Sequence, residues 1–378
     1  MAVEGMGAQA PAGTVLSEGP TVEVRDQFGA GMGGVFVTFQ LVEGGGTLPV
    51  AGRQTDSMGR ARVPWVLGSQ VGEPQRIRAT AGNLTAEIQA SAVEATPGAS
   101  FMGRNGYTEY LPGELPLVLS APHGGDQTPT EIPDRTYGTT VTDRNTRQLA
   151  LQIRSAIKAQ TGFFPHIIIS HLKRTKLDPN REIIEAAQGD PEAERAWYEF
   201  QTFIDAAGDI VENEFGEGFY IDLHGHGHDI QRLELGYLLS SSDLSNADEA
   251  LADPALVNKS SYKVLGSKPG MNFADLIRGP MSLGTLLEME GIPAVPSQNQ
   301  PNPGQNPYFT GGYNTARHGS RDSGSVSGVQ IECNYTGIRD TEANREAMAE
   351  ALARALAAFF PEHFQFPFAP LSGAAAEK

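Results

Sequence analysis

Three separated stretches of this chain end in side chains that bind metals or move protons: Ser120-Ala121-Pro122-His123-Gly124-Gly125, Ile221-Asp222-Leu223-His224-Gly225-His226 and Gln330-Ile331-Glu332-Cys333. Each begins as a short apolar run, consistent with a buried strand. A hydrolytic zinc centre needs two or three neutral imidazole or carboxylate ligands, an open position for water, and a carboxylate beside that water. His, His and Glu delivered from strand ends meet this need. The expectation is a metal-dependent hydrolase using Zn2+.

His123 is followed by two glycines, which let the backbone turn sharply and leave the imidazole open to a ligand. If the strand through Asp222 continues, His224, His226 and His228 point to one side, with Asp222 on that side to orient an imidazole. A straight strand does not bring all three to one ion, so some of them serve the substrate or support a ligand. The acidic ligand comes from Asp143, which opens an amphipathic helix through Leu149, Ala150, Ile153 and Ile157, or from Asp126; Glu131 and Asp134 are further options. Glu332 lies inside an apolar strand, where an unpaired charge is costly. Beside an activated water it is expected to act as general base and then as proton donor to a leaving amine. Cys333 faces the other way and packs. In Arg174-Thr175-Lys176-Leu177-Asp178-Pro179-Asn180-Arg181, Arg181 can grip a substrate carboxylate with help from Asn180, and Arg174 can hold a developing oxyanion.

Two textures of chain must position these residues. Up to about residue 93, short β-branched and aromatic runs alternate with turn signals such as Asp26-Gln27-Phe28-Gly29 and Thr55-Asp56-Ser57-Met58-Gly59, as in a β-sandwich. Ala95-Thr96-Pro97-Gly98-Ala99 reads as a linker. Beyond it, strands (Leu117 to Ala121, His166 to Ser170, Phe219 to Leu223, Leu233 to Leu239, Val329 to Asn334) alternate with helices (Glu192 to Phe215, Asn344 to Phe360). The expected fold class is α/β, a mixed sheet flanked by helices at 99–366, preceded by an all-β sandwich at 10–93. The chain has 378 residues, with Lys+Arg 28 against Asp+Glu 45 and a net charge of -17, which disfavours nucleic acid as a partner. No run approaches the roughly 20 apolar residues of a membrane span, no signal peptide is visible at Met1, and the single cysteine forms no intrachain disulfide. The tail 371–378 reads as disordered.

Residues 15–92 resemble bacterial Ig-like domains of the invasin and intimin type, carried by Val24-Arg25-Asp26-Gln27-Phe28-Gly29, Val35-Phe36-Val37-Thr38-Phe39, Gly44-Gly45-Gly46, Thr55-Asp56 with Gly59, and Trp65-Val66-Leu67-Gly68. Residues from about 100 to 360 resemble the N-formylglutamate amidohydrolase family, which belongs with zinc carboxypeptidase-like and aspartoacylase-like hydrolases. The residues that carry this are Pro122-His123-Gly124-Gly125, Ile132-Pro133-Asp134-Arg135, Asp143-Arg144-Asn145-Thr146, Asp178-Pro179-Asn180-Arg181, Asp222-Leu223-His224 and Tyr308-Phe309-Thr310-Gly311-Gly312-Tyr313. The resemblance implies zinc held by His123, an acidic residue and His224, with Glu332 matching the catalytic glutamate on a late strand. It also implies that Asn180 and Arg181 bind the carboxylate of a small-molecule or peptide substrate and that Tyr313 lines its pocket, with Arg317 a second anion anchor; His226, from the row of strand histidines, is expected to meet the same substrate. An Ig-like module suggests a secreted or periplasmic protein whose N-terminal domain contacts a cell surface or polymer. A carboxypeptidase or esterase, or a non-catalytic adhesin, are the alternatives.

Overall fold

The computed structural model describes residues 1–368 apart from Gly5 and Glu18, so the tail 371–378 lies outside the described residues. The N-terminal part is all β. A five-stranded sheet has the order β2-β10-β9-β4-β6, built from β2 (Ala8–Pro11), β4 (Phe36–Glu43), β6 (Gly52–Gln54), β9 (Pro74–Ala81) and β10 (Leu84–Val93). A three-stranded sheet joins β1 (Ala2–Glu4), β3 (Thr21–Glu23) and β7 (Arg60–Arg62), and β5 (Gly46–Thr47) pairs with β8 (Val66–Leu67). Strands thus begin at Ala2, ahead of the expected start at residue 10. Alternation directs Val37, Phe39, Ile77, Ala79, Ile88 and Ala90 onto Trp65, which is fully buried. The two Asp-led turns form as their composition predicts. Asp26 Oδ1 accepts from the Phe28 and Ala30 amides, and Asp56 Oδ1 from the Met58 and Arg60 amides.

The rest of the chain builds one eight-stranded mixed sheet of order β11-β12-β14-β13-β15-β18-β16-β17. Its strands are β11 (Phe101–Met102), β12 (Thr108–Leu111), β13 (Leu117–Ala121), β14 (His166–Ser170), β15 (Gly218–His226), β16 (Leu233–Gly236), β17 (Ala294–Val295) and β18 (Val326–Asn334). The centre, β14-β13-β15-β18, is parallel. Its strands read as near-continuous apolar runs because both faces are covered. Leu117, Leu119, Ile167, Ile169, Phe219 and Ile221 pack against α1 (Thr146–Thr161) and the long α11 (Glu342–Phe364). Their neighbours Val118, Ile168 and Tyr220 pack on the other face against α3 (Pro191–Phe215), which follows the short α2 (Ile183–Ala187). Six short helices, α4 (Ser241–Leu244), α5 (Asp248–Leu251), α6 (Pro254–Lys259), α7 (Lys263–Gly266), α8 (Phe273–Arg278) and α9 (Leu283–Met289), fill the stretch between β16 and β17. A last short helix, α10 (Tyr313–His318), precedes β18. The architecture is α/β with a β-rich N-terminal part. No helix among the described residues is long and apolar enough to cross a membrane.

Charged contacts connect the two parts at the start of α3: Arg62 pairs with Glu192 at 3.1 Å, Arg53 with Glu194 at 3.0 Å, and Arg195 Nη2 donates to the Leu16 carbonyl at 2.8 Å.

At the first residue of β14, His166 is buried beside the Tyr110 hydroxyl at 2.9 Å, and burial lowers its pKa from 6.5 to about 4. A histidine whose folded pKa lies below its unfolded value binds fewer protons when folded, so it removes stability as pH falls from about 6.5 towards 4. The expected contribution is about 3 kcal/mol over that window. Chemical denaturation of wild type and His166→Asn at pH 7.5 and pH 4.5 checks it: the difference between the two proteins should shrink at the lower pH. An unchanged difference would overturn the assignment.

Candidate metal and hydrolytic site

The parallel strands deliver their chemistry at their carboxyl ends, where α/β sheets bind ligands. β13 ends at Ala121 and places His123 two residues on. β15 carries Asp222, His224 and His226, and the register sets His224 level with Glu332 of β18. Leu223, Ile331 and Cys333 turn into the core, so alternation commits Asp222, His224 and Glu332 to the opposite face. Cys333 packs as expected, fully buried, and burial pushes its thiol up to about 12.

His123, Asp143 and His224 meet with their ligand atoms within 4.8 Å of one another. Asp143 Oδ2 lies 3.3 Å from His123 Nδ1 and 3.2 Å from His224 Nδ1, and it accepts the Gly225 amide at 3.2 Å. The opposite nitrogens face carboxylates: His123 Nε2 is 2.7 Å from Asp178 Oδ1, and His224 Nε2 is 2.8 Å from Asp222 Oδ2. Each imidazole thus has a carboxylate at both nitrogens: with Nε2–H given to the outer carboxylate, a neutral ring presents its Nδ1 lone pair towards Asp143, and a protonated ring donates to it. Beside an anionic oxygen a neutral Nδ1 is favourable only with a cation between the two; without one, a proton on Nδ1 takes that place. The donor set, two imidazoles held by outer carboxylates plus one Asp, suits Zn2+.

The outer carboxylates are themselves fixed. Ser120 Oγ donates to Asp222 Oδ1 at 2.7 Å, while Asp178 accepts from Arg174 Nε at 2.9 Å and from the Asn180 amide at 3.1 Å. Burial works against charge on Asp143 and Asp178, yet the adjoining imidazoles, with Arg174 beside Asp178, hold both well below the usual carboxylate range. Burial also opposes charge on His224, but Asp222, Asp143 and Glu332 outweigh it and raise the imidazole well above its usual value. Glu332 is buried, and its Oε1 accepts from Gln330 Nε2 at 3.0 Å. Burial pushes its pKa up to about 8, against the pull of His224 and with the help of Asp143 and Glu234.

Other readings are corrected by packing. Asp143 does not open α1. That helix starts at Thr146 after Asn145 at φ 67, and the Asp143 carboxylate is turned to the imidazoles instead. Asp126 is exposed and pairs with Arg147 at 3.4 Å, outside the cluster. Glu131 and Asp134 are also exposed, against Tyr107 and Lys176. β15 ends at His226, so His228 leaves the row. The nitrogens of His226 both go to backbone, Nε2 to the Arg232 carbonyl at 2.8 Å and Nδ1 to the His228 amide at 3.1 Å, so it fixes the turn and has no nitrogen free for a substrate. His226, His228 and Glu234 form a second close group, but for this reason it is a poor metal cage. Arg317 pairs with Asp205 of α3 at 2.7 Å and does not reach the cluster. Tyr313 lies against Trp197, ring centroids 6.1 Å apart.

Arg174 and Asn180 do join the site. Arg174 Nη1 lies 3.8 Å from Asp143 Oδ1, and Asn180 Nδ2 lies 3.2 Å from His224 Nε2. Asn180 Oδ1 in turn accepts the Asn314 amide at 2.8 Å. Arg181 is half-buried and pairs with Glu185 at 3.3 Å. The main residue that sequence reasoning passed over is Asp178. Its signal was the Asp-Pro-Asn-Arg run, read there for its Asn and Arg alone. Asp178→Asn is expected to weaken zinc affinity about 10- to 100-fold, the usual effect of removing an outer carboxylate from a ligating histidine. Competition against a chromophoric chelator reads this directly, and an unchanged affinity would separate His123 from the metal.

No protein-family model and no curated protein matches this chain. Among solved structures it is similar to the D00-D0 domain of intimin (23% identity, TM-score 0.20, 24% of this chain and 43% of that one). It is also similar to an N-formylglutamate amidohydrolase from Ralstonia eutropha JMP134 (13% identity, TM-score 0.40, 66% of this chain and 94% of that one). A third is invasin, a bacterial integrin-binding protein (20% identity, TM-score 0.21, 31% and 22%). This chain thus spans less than half of the intimin fragment. The reading of the site rests on its residues.

Proposed function

We propose that the chain is a metal-dependent hydrolase that cleaves an amide bond of a carboxylate-bearing substrate such as an N-acyl amino acid, with Zn2+ held by His123, Asp143 and His224. The observation that carries this reading is the convergence of two imidazole Nδ1 atoms on Asp143 Oδ2, each imidazole fixed from behind by a buried carboxylate. The ion, when bound, supplies Lewis acidity to a carbonyl and acidifies water.

The chain's own groups do the rest. Glu332, level with His224, takes a proton from the attacking water in its ionised form and returns it to the leaving amine. Arg174 spends Nε on Asp178 and Nη1 on the Val141 carbonyl, while Nη2 has no partner among the described residues and is the donor left for a developing oxyanion. Asn180 and the half-buried Arg181 hold the substrate carboxylate. Placement outside the cytoplasm belongs to the same proposal and rests on the Ig-like sequence pattern of residues 15–92.

Zinc added back to chelator-stripped protein tests this, with stoichiometry measured and N-acyl amino acids, peptides and esters offered as substrates. About one ion per chain and amide turnover only in the loaded protein are expected. Bound zinc without hydrolysis of any of the three classes would remove the hydrolase reading and favour a binding protein.

A further inference from the structure

One charged group on the catalytic face has more than half its hydrogen-bonding capacity unused. Arg232, immediately before β16, is 4% exposed. Its Nη1 donates to Gln300 Oε1 at 3.2 Å, while Nε and Nη2 are buried without a partner. Among the described residues it is the one guanidinium with two such nitrogens. Its backbone is held by His226 Nε2, which donates to its carbonyl at 2.8 Å. Glu234 offers charge but makes no hydrogen bond to it; its Oε1 lies on His228 Nδ1 and its Oε2 accepts the Phe309 amide, both at 2.8 Å.

Register places this group. Leu233 and Leu235 pack into the core, so Arg232 and Glu234 face the other way. Glu234 is level with Glu332, and Glu332 with His224. Continuing the antiparallel register by two residues sets Arg232 level with Asn334, about 7 Å along the strand from that row. The Asn334 side-chain amide, which donates to Gln231 Oε1 at 3.4 Å, agrees with this alignment.

A buried guanidinium with idle donors is costly, so the site suits an anion that supplies the missing acceptors. Nε–H and Nη2–H are parallel and spaced to meet the two oxygens of one carboxylate. We propose that this edge of Arg232 receives a carboxylate of the substrate and is a determinant of specificity. Arg232 thereby takes the part of second anion anchor that the sequence suggested for Arg317. This rests on the hydrolase reading of the neighbouring cluster. Because Arg232 is buried, entry requires the residues packed over this edge to move.

The test uses the full chain, metal-free, titrated with glutarate and with the neutral glutaramide by calorimetry. Wild type should prefer glutarate, and Arg232→Gln should lose about 30-fold or more of that affinity. Arg232→Lys, which keeps the charge but not the fork, should also weaken binding. If either variant misfolds, arginine-selective dicarbonyl labelling of wild type, mapped by mass spectrometry, should show glutarate protecting Arg232. Equal binding by wild type and Arg232→Gln, no preference for glutarate, or no protection would each overturn the proposal. Arg232-dependent glutarate binding without any hydrolysis would retire the hydrolase reading and leave this one standing. Hydrolysis with Arg232-independent glutarate binding would do the reverse.

Discussion

Glu332→Gln is expected to lower turnover by about 10³-fold while leaving zinc content unchanged. The glutamine has nearly the same volume, and its carbonyl oxygen can still accept from Gln330 Nε2, so the packing of β18 survives. It cannot take a proton from water, which is the role assigned to the Glu332 carboxylate. The variant also removes one of the carboxylates crowded around His224, so its folding should not suffer from a new unpaired charge. Steady-state rates at saturating substrate, measured beside elemental analysis, decide the matter. A variant that keeps a tenth of wild-type turnover, or one that loses its zinc, would end the assignment of Glu332 as base.

His224→Ala should abolish tight zinc binding and destabilise the metal-free protein as well. The imidazole touches Asp143 and Asp222, and its removal leaves two buried carboxylates facing a hole. Removing one partner of a buried charged pair costs about 3–5 kcal/mol. Zinc affinity should fall by more than the 10- to 100-fold expected for Asp178→Asn, because a ligand rather than its support is lost. Denaturant titration of metal-free wild type and variant gives the stability change, and chelator competition gives the affinity. Metal-free stability equal to wild type would show that the carboxylates are neutral in the absence of the ion. Unchanged zinc affinity would take His224 out of the metal site.

Much of the fold was legible because it follows from local periodicity. The apolar runs at Leu117, His166, Phe219 and Val329 each form a strand, and Glu192 to Phe215 is helix, extended by one residue to Pro191 at the helix start, where its missing amide is harmless. Boundaries drifted where a strand end depends on partners: β15 runs on to His226 because β18 supplies a ladder that far, and β16 stops at Gly236, short of Leu239. The N-terminal strands at Ala2 and Ala8 were missed, since three or four residues carry too little pattern.

What the sequence determined by itself was the inventory: an α/β body behind a β-rich start, histidines and a glutamate at strand ends, and the alternation that sends Cys333 to the core and Glu332 to the opposite face. These are consequences of residue type and of a period of two. What the tertiary structure decided was who meets whom. It brought Asp143 rather than Asp126 to the imidazoles, gave His226 to the backbone of its own turn, tied Arg317 to Asp205, and raised Asp178 and Arg232 from unremarked residues to buried, charged neighbours of the site. Each of these depends on burial and on hydrogen-bond partners that come from strands and loops distant in sequence, and no local pattern encodes a partner that only folding supplies.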